Sequence, residues 1–232
     1  MPAEIISFLF SKPYGTAVVD WLLEKKEKLP EFLILVPTAE SGRRLRQGLA
    51  ERGALLAPRV VTTGALLQIE GTAADSVEVL AWTEALESVE DWENYEAIFP
   101  ESPASDGPGW GLGLAKAFVE LRKSLQENGL MLSEAARRVS ALEHDRWEQL
   151  ARLEREVENH LKNWGYESKS TRLALGNLEF PEGISRVVIA GVLDLPPVLI
   201  RFFEKIEIMV NVLVPDPRVD EWGRPGLEWN RQ

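Results

Sequence analysis

The sequence predicts an α/β fold, a parallel sheet flanked by helices and interrupted by an all-helical insertion. Short apolar runs of strand length alternate with single amphipathic stretches over residues 1–72. Strands separated by single helices favour parallel pairing through right-handed crossovers. Strand-like runs vanish over residues 73–176 and return over 177–232. The segments Phe32–Val36 and Val187–Ala190 are apolar throughout, the mark of strands buried on both faces.

The first expected strand is Ile5–Phe10, followed by Pro13 and Gly15 as punctuation. Thr16 to about Lys28 reads as a helix with Val18, Val19, Leu22 and Leu23 on one face, ended by Pro30. After the strand Phe32–Val36, Glu40–Arg52 reads as a helix that stops at Gly53, a residue suited to a helix C-terminus. Arg59–Thr62 is a short third strand. In the insertion, Ser76–Glu87, Leu112–Asn128, Ser133–Leu142 and Asp145–Trp164 read as helices. The last carries Trp147, Leu150, Leu153, Val157, Leu161 and Trp164 at spacings of three and four, an apolar stripe. Residues 100–109 are rich in proline, glycine and serine and read as a loop. Val187–Ala190, Pro196–Lys205 and Ile208–Val214 then restore strand, helix and strand.

Composition narrows the chemistry. The 232 residues contain no cysteine, which excludes disulfides, thiolate zinc sites and cysteine-ligated iron–sulfur clusters within them. Only His144 and His160 offer imidazole, and no histidine-based triad can be assembled around either. The net charge of −11 argues against the whole chain as an electrostatic nucleic-acid binder. The apolar run at Ile5 is too short for a membrane span and lacks the flanks of a signal peptide. The expected location is therefore the cytoplasm, with no membrane partner.

Four constellations fall at the expected ends of strands, where ligands collect in open α/β sheets. Ser11-Lys-Pro-Tyr-Gly-Thr16 occupies the position of a phosphate-cradling loop, but of that loop's chemistry only Gly15 and Thr16 remain. The same residues serve equally as an ordinary strand–helix turn. Val36-Pro-Thr-Ala-Glu-Ser-Gly-Arg-Arg-Leu-Arg46 sets Thr38 at a strand end, Ser41 as a candidate helix cap and Arg43, Arg44 and Arg46 on the helix. With Arg52 and Arg59 against Glu40 and Glu51, residues 38–63 carry an excess of three positive charges. This is either a backbone- or partner-binding patch or a solvated helix face. After the strand ending in Ala190–Gly191, Asp194 is a candidate cap for the helix near Pro196. Finally, Val214-Pro-Asp-Pro217 puts Asp216 at the sheet edge, as a weak nucleotide-site candidate or a structural turn.

In this order the motifs resemble a known family. Phe10-Ser-Lys-Pro-Tyr-Gly15, Leu33-Ile-Leu-Val-Pro-Thr-Ala-Glu-Ser-Gly-Arg-Arg-Leu-Arg46, Ala54-Leu-Leu-Ala-Pro-Arg-Val-Val-Thr62 and Val187-Val-Ile-Ala-Gly-Val-Leu-Asp194 are similar to the N-terminal region of AddB-like proteins. These are helicase-like subunits of double-strand-break repair nucleases, of the PD-(D/E)XK nuclease family. The resemblance implies a P-loop, superfamily 1 helicase-like sheet with degenerate Walker motifs. It implies that Val36–Arg46 stands where a strand–helix motif touches single-stranded DNA, and Ala190–Gly191 where an active helicase has an Asp–Glu pair. Asp216 matches the acidic residue of the following motif. The nuclease core would lie C-terminal to this region, so the chain is expected to be a fragment.

The expectation is thus a non-catalytic helicase-like domain of a repair and recombination nuclease, scanning single-stranded DNA or acting as a scaffold, without ATP hydrolysis. Degenerate nucleotide contacts fall on Gly15, Thr16 and Asp216, and DNA or partner contacts on Thr38, Arg43, Arg44, Arg46 and Arg59. No cofactor is expected in this region, and the implied partner is a helicase–nuclease subunit of the AddA type. The alternative is a protein-interaction module without nucleic-acid binding.

Overall fold

The computed structural model describes residues 3–8, 12–54, 56–103, 109–206 and 208–215. The chain forms two compact units, one of residues 1–68 with 179–232 and one of residues 69–178.

The first unit begins β1 (Glu4–Ser7), α1 (Tyr14–Leu23), β2 (Phe32–Val36), α2 (Ala39–Glu51), β3 (Arg59–Thr62) and α3 (Thr63–Leu66). The second unit holds α4 (Asp75–Glu87), α5 (Trp110–Gln126), α6 (Leu132–Ala136), α7 (Ala141–Asn163) and α8 (Lys169–Ala174). The first unit then resumes with β4 (Arg186–Ala190), α9 (Pro197–Lys205) and β5 (Met209–Val214).

All strand pairs are parallel, in the order β1-β5-β4-β2-β3. β2 is buried along its whole length and β4 from Val187 onward, as runs without a polar residue require. Right-handed crossovers put α1 and α2 on one face, because both carry the chain the same way across the sheet, and α9 on the other. Alternate residues Phe32, Ile34 and Val36 accordingly share a core with Val18, Val19 and Leu22 of α1 and Leu45 and Leu49 of α2. The chain leaves β2 toward β3 and leaves the adjacent β4 toward β5, in opposite directions. The carboxyl ends of β2 and β4 therefore flank the switch point of the sheet.

Several expected boundaries differ. β1 ends at Ser7, although the Phe8 amide still donates to the Val214 carbonyl at 2.9 Å; Leu9 and Phe10 lie outside the described residues. α1 starts two residues before Thr16 and stops at Leu23, and Lys26–Glu31 is a 3-10 helix with Pro30 inside it. The tighter turn brings Leu29 to full burial, which the charged run Glu24–Lys28 could not do on a continued α-helix. The expected helix Ser133–Leu142 is two elements. α6 ends at Ala136, and α7 starts at Ala141, before the expected Asp145. Leu142, the last residue of the expected first helix, is 95% exposed. Asp194 does not cap α9: the N-cap is Pro196, without a side-chain cap bond.

The second unit packs α4 against α5 and α7 around Trp82, Leu86, Ala115, Val119, Leu153 and Val157. Of the expected stripe on α7, Leu150, Leu153, Val157 and Leu161 are buried, while Trp164 is 38% exposed beyond the helix end. Among the described residues, no helix is long and apolar enough to cross a membrane.

Candidate functional site

A cavity of about 660 Å³ lies at the carboxyl edge of the sheet, between α1, α2 and the ends of β2 and β4. Its apolar wall comes from Val18, Val19, Val36 and Leu45, and its polar groups include Thr16, Ser41, Arg44 and Arg52. The two helices approach closely because α2 presents Gly48 to α1. A Cβ there would stand 3.0 Å from a Val19 methyl, closer than ordinary contact allows.

Tyr14, at the first position of α1, closes one end of this space. Its Oη donates to the Leu213 carbonyl at 2.6 Å, and Gly191 also hydrogen-bonds to the phenol. Gly191 is in the left-handed region, φ +70, and an added Cβ would lie 3.0 Å from the Tyr14 ring. Glycine is thus required twice over, by conformation and by the ring. Burial pushes the phenol pKa upward, against the smaller opposing pull of the Gly191 hydrogen bond. Tyr14 is not among the residues that motif and spacing single out. The available signal was an aromatic residue between Pro13 and Gly15, where a phosphate loop would need a small residue.

The expected phosphate-loop residues are distributed as follows. Gly15 is exposed and Thr16 half-buried, both lining the cavity. Lys12 pairs with Asp20 on α1, and Arg52 reaches the same carboxylate. These contacts hold the Asp20 carboxyl below its usual range, the Lys12 hydrogen bond most strongly. Asp194 is exposed, and Asp216 lies outside the described residues. Among the described lining residues, Glu51 is the lone carboxylate and it sits on α2, away from the ends of β4 and β5. This donor set does not fit a magnesium–triphosphate group. The lysine is turned to Asp20, and the phenol uses the backbone at the strand ends.

The basic segment divides into three. Thr38, not Ser41, caps α2: its Oγ1 accepts from the Ser41 amide at 3.1 Å. Such a bond satisfies one of the four orphan donors of a helix start. Arg43 forks onto both oxygens of Glu40 at 2.8 Å, and Arg44 binds one of them at 2.7 Å. Those hydrogen bonds, Arg43 first, pull the Glu40 carboxyl down to about 2, so it stays ionised to strongly acidic pH. Arg43 and Arg44 remain exposed beside Thr38, whereas Arg46 donates to the Val60 carbonyl at 3.3 Å. Arg59 begins β3 opposite Leu33, at the amino end of the sheet. The cavity therefore gathers Arg44 and Ser41 with Gly15 and Thr16, while Thr38 and Arg43 belong to the start of α2 and Arg59 lies apart.

No protein-family model matches this chain, and no curated protein matches it either.

Proposed function

We propose that this chain is a helicase-like domain without ATPase activity, part of a DNA double-strand-break repair nuclease. In this reading the domain holds or scans single-stranded DNA along the edge formed by Thr38, Arg43 and Arg44. The observation that carries the reading is Tyr14 against Gly191 and Leu213. Phosphoryl transfer needs a cationic cradle and metal-holding carboxylates at the strand ends, and an aromatic ring fills that corner. The sheet order supports the P-loop side of the proposal, with a strand–turn–α1 unit feeding one side of the switch point. An AddA-type helicase–nuclease subunit is the partner the reading calls for.

Fluorescence anisotropy with labelled single strands, at low and high salt, tests it. The expected result is a modest, salt-sensitive affinity that Arg43→Glu with Arg44→Glu weakens about equally for all sequences. Absence of binding at low salt would remove the DNA role, and magnesium-dependent ATP turnover at rates of working helicases would remove the non-catalytic one. A second reading, a protein-interaction module, is favoured by one observation: Glu40 already engages both Arg43 and Arg44. That pairing reduces the charge left for phosphates.

A further inference from the structure

The helical unit encloses a polar layer that the DNA reading does not use. Arg122 on α5 is 1% exposed and donates to Glu154 of α7 at 3.1 Å, to Ser168 at 2.7 Å and to Glu158 of α7. Glu154, 2% exposed, uses its other oxygen to accept from the Leu132 amide at 3.1 Å. Both oxygens of Glu154 are thus engaged by donors, and although burial raises its carboxyl above the ordinary range, Arg122 and the backbone amides oppose the shift.

Glu78 on α4 is in a different position. It is 4% exposed, and its Oε1 is buried without a hydrogen-bond partner. Arg122 Nη1 is likewise buried without a partner, so the guanidinium does not reach Glu78. Of the charged side chains fully buried among the described residues, Glu78 and Glu154 are acids and Arg122 is the single base. The surrounding charges do not correct this. Asp75 on α4 is paired to Lys123 of α5, which also holds Glu120, while Glu158 on α7 adds negative charge and Lys169 on α8 adds positive. An unpaired ionised carboxylate in such a place is strongly disfavoured, and uptake of a proton removes that penalty.

We propose that Glu78 is held as a neutral carboxylic acid inside the helical unit, and that release of its proton loosens the packing of α4 on α5 and α7. Burial raises the affinity of Glu78 for its proton, with Arg122 opposing and Glu158 and Asp75 reinforcing. The sign follows from the folded state holding a proton that the unfolded state has lost. Below the ordinary glutamate value of about 4.3 both states are protonated and the stabilisation is complete. As pH rises above it, the opening equilibrium grows by up to tenfold per pH unit until the folded state also releases the proton.

Amide hydrogen exchange of α4 and α7 in the full chain, corrected for the intrinsic pH dependence of exchange, tests this. Wild-type protection is expected to fall as pH rises, and Glu78→Gln and Glu78→Met are expected to make that fall smaller, leaving the part that belongs to Glu154. Carbon-13 NMR of labelled glutamate carboxyls is expected to show a resonance that titrates above the ordinary glutamate range and is absent from either variant. A pH-independent wild-type profile overturns the proposal, whatever the variants do. So does titration of every glutamate carboxyl near the ordinary value.

Discussion

The two units distribute their polar groups in opposite ways. In the sheet unit the interior is apolar, and Asn211 on β5 is the one fully buried polar side chain among its described residues. Even that amide is matched, accepting from Arg186 at 2.8 Å and donating to Glu4 at 2.7 Å. In the helical unit Glu78, Arg122, Gln126, Glu154, Ser168 and Ser170 are all buried. A parallel sheet satisfies its backbone from strand to strand and meets ligands only at its carboxyl edge, so chemistry there is displayed at a rim. Helices satisfy their own backbones, and the side chains between them can build a closed network. The sheet unit displays its polar groups at a rim, and the helical unit encloses them.

The comparison can be broken from either side. The largest effect is expected for Arg122→Ala. It strands Glu154 without its buried partner and should lower unfolding stability by about 3–5 kcal/mol, read by urea unfolding. Tyr14→Ala should cost less, about 2–3 kcal/mol, since the residue is only partly enclosed. Tyr14→Phe should cost about 1 kcal/mol, by leaving the Leu213 carbonyl with only the longer bond from the Gly191 amide at 3.4 Å. If Tyr14→Ala exceeds Arg122→Ala, the sheet edge and not the helical interior is the more costly place to disturb. Gly191→Ala should cost about 1–2 kcal/mol from its left-handed backbone, plus the clash with the Tyr14 ring. In a double-mutant cycle with Tyr14→Ala the clash should vanish and the backbone cost remain. The smallest effect is Glu40→Gln. It leaves stability nearly unchanged, frees Arg43 and Arg44, and should tighten single-strand binding a few-fold at low salt, measured by anisotropy.

How much of this was legible follows from range. Phe32–Val36 and Val187–Ala190 announce buried parallel strands because they contain no polar residue, and Gly53 marks the end of α2 with φ +80. The stripe on α7 is equally local. Burial, not periodicity, decides the boundaries near Pro30 and Leu142. Thr38 rather than Ser41 as the cap turned on which residue first left the strand. The basic patch looked continuous in the chain, yet β3 carries Arg59 to the other end of the sheet. Glu78 was invisible as a special residue, since an acidic position on an amphipathic helix normally faces water.

By itself the sequence determined the strand and helix faces, the lack of thiol chemistry and the absence of a lysine-bearing phosphate loop. Those are properties of residue type and short spacing. Tertiary structure alone decided the strand order, and with it the meeting of Tyr14, Gly191 and Leu213 across as many as 199 positions. It also decided that Glu154 and Glu158 would share the Arg122 guanidinium while Glu78 has no hydrogen bond to it. Packing brings together groups that local periodicity cannot relate, and burial then changes what each of them costs.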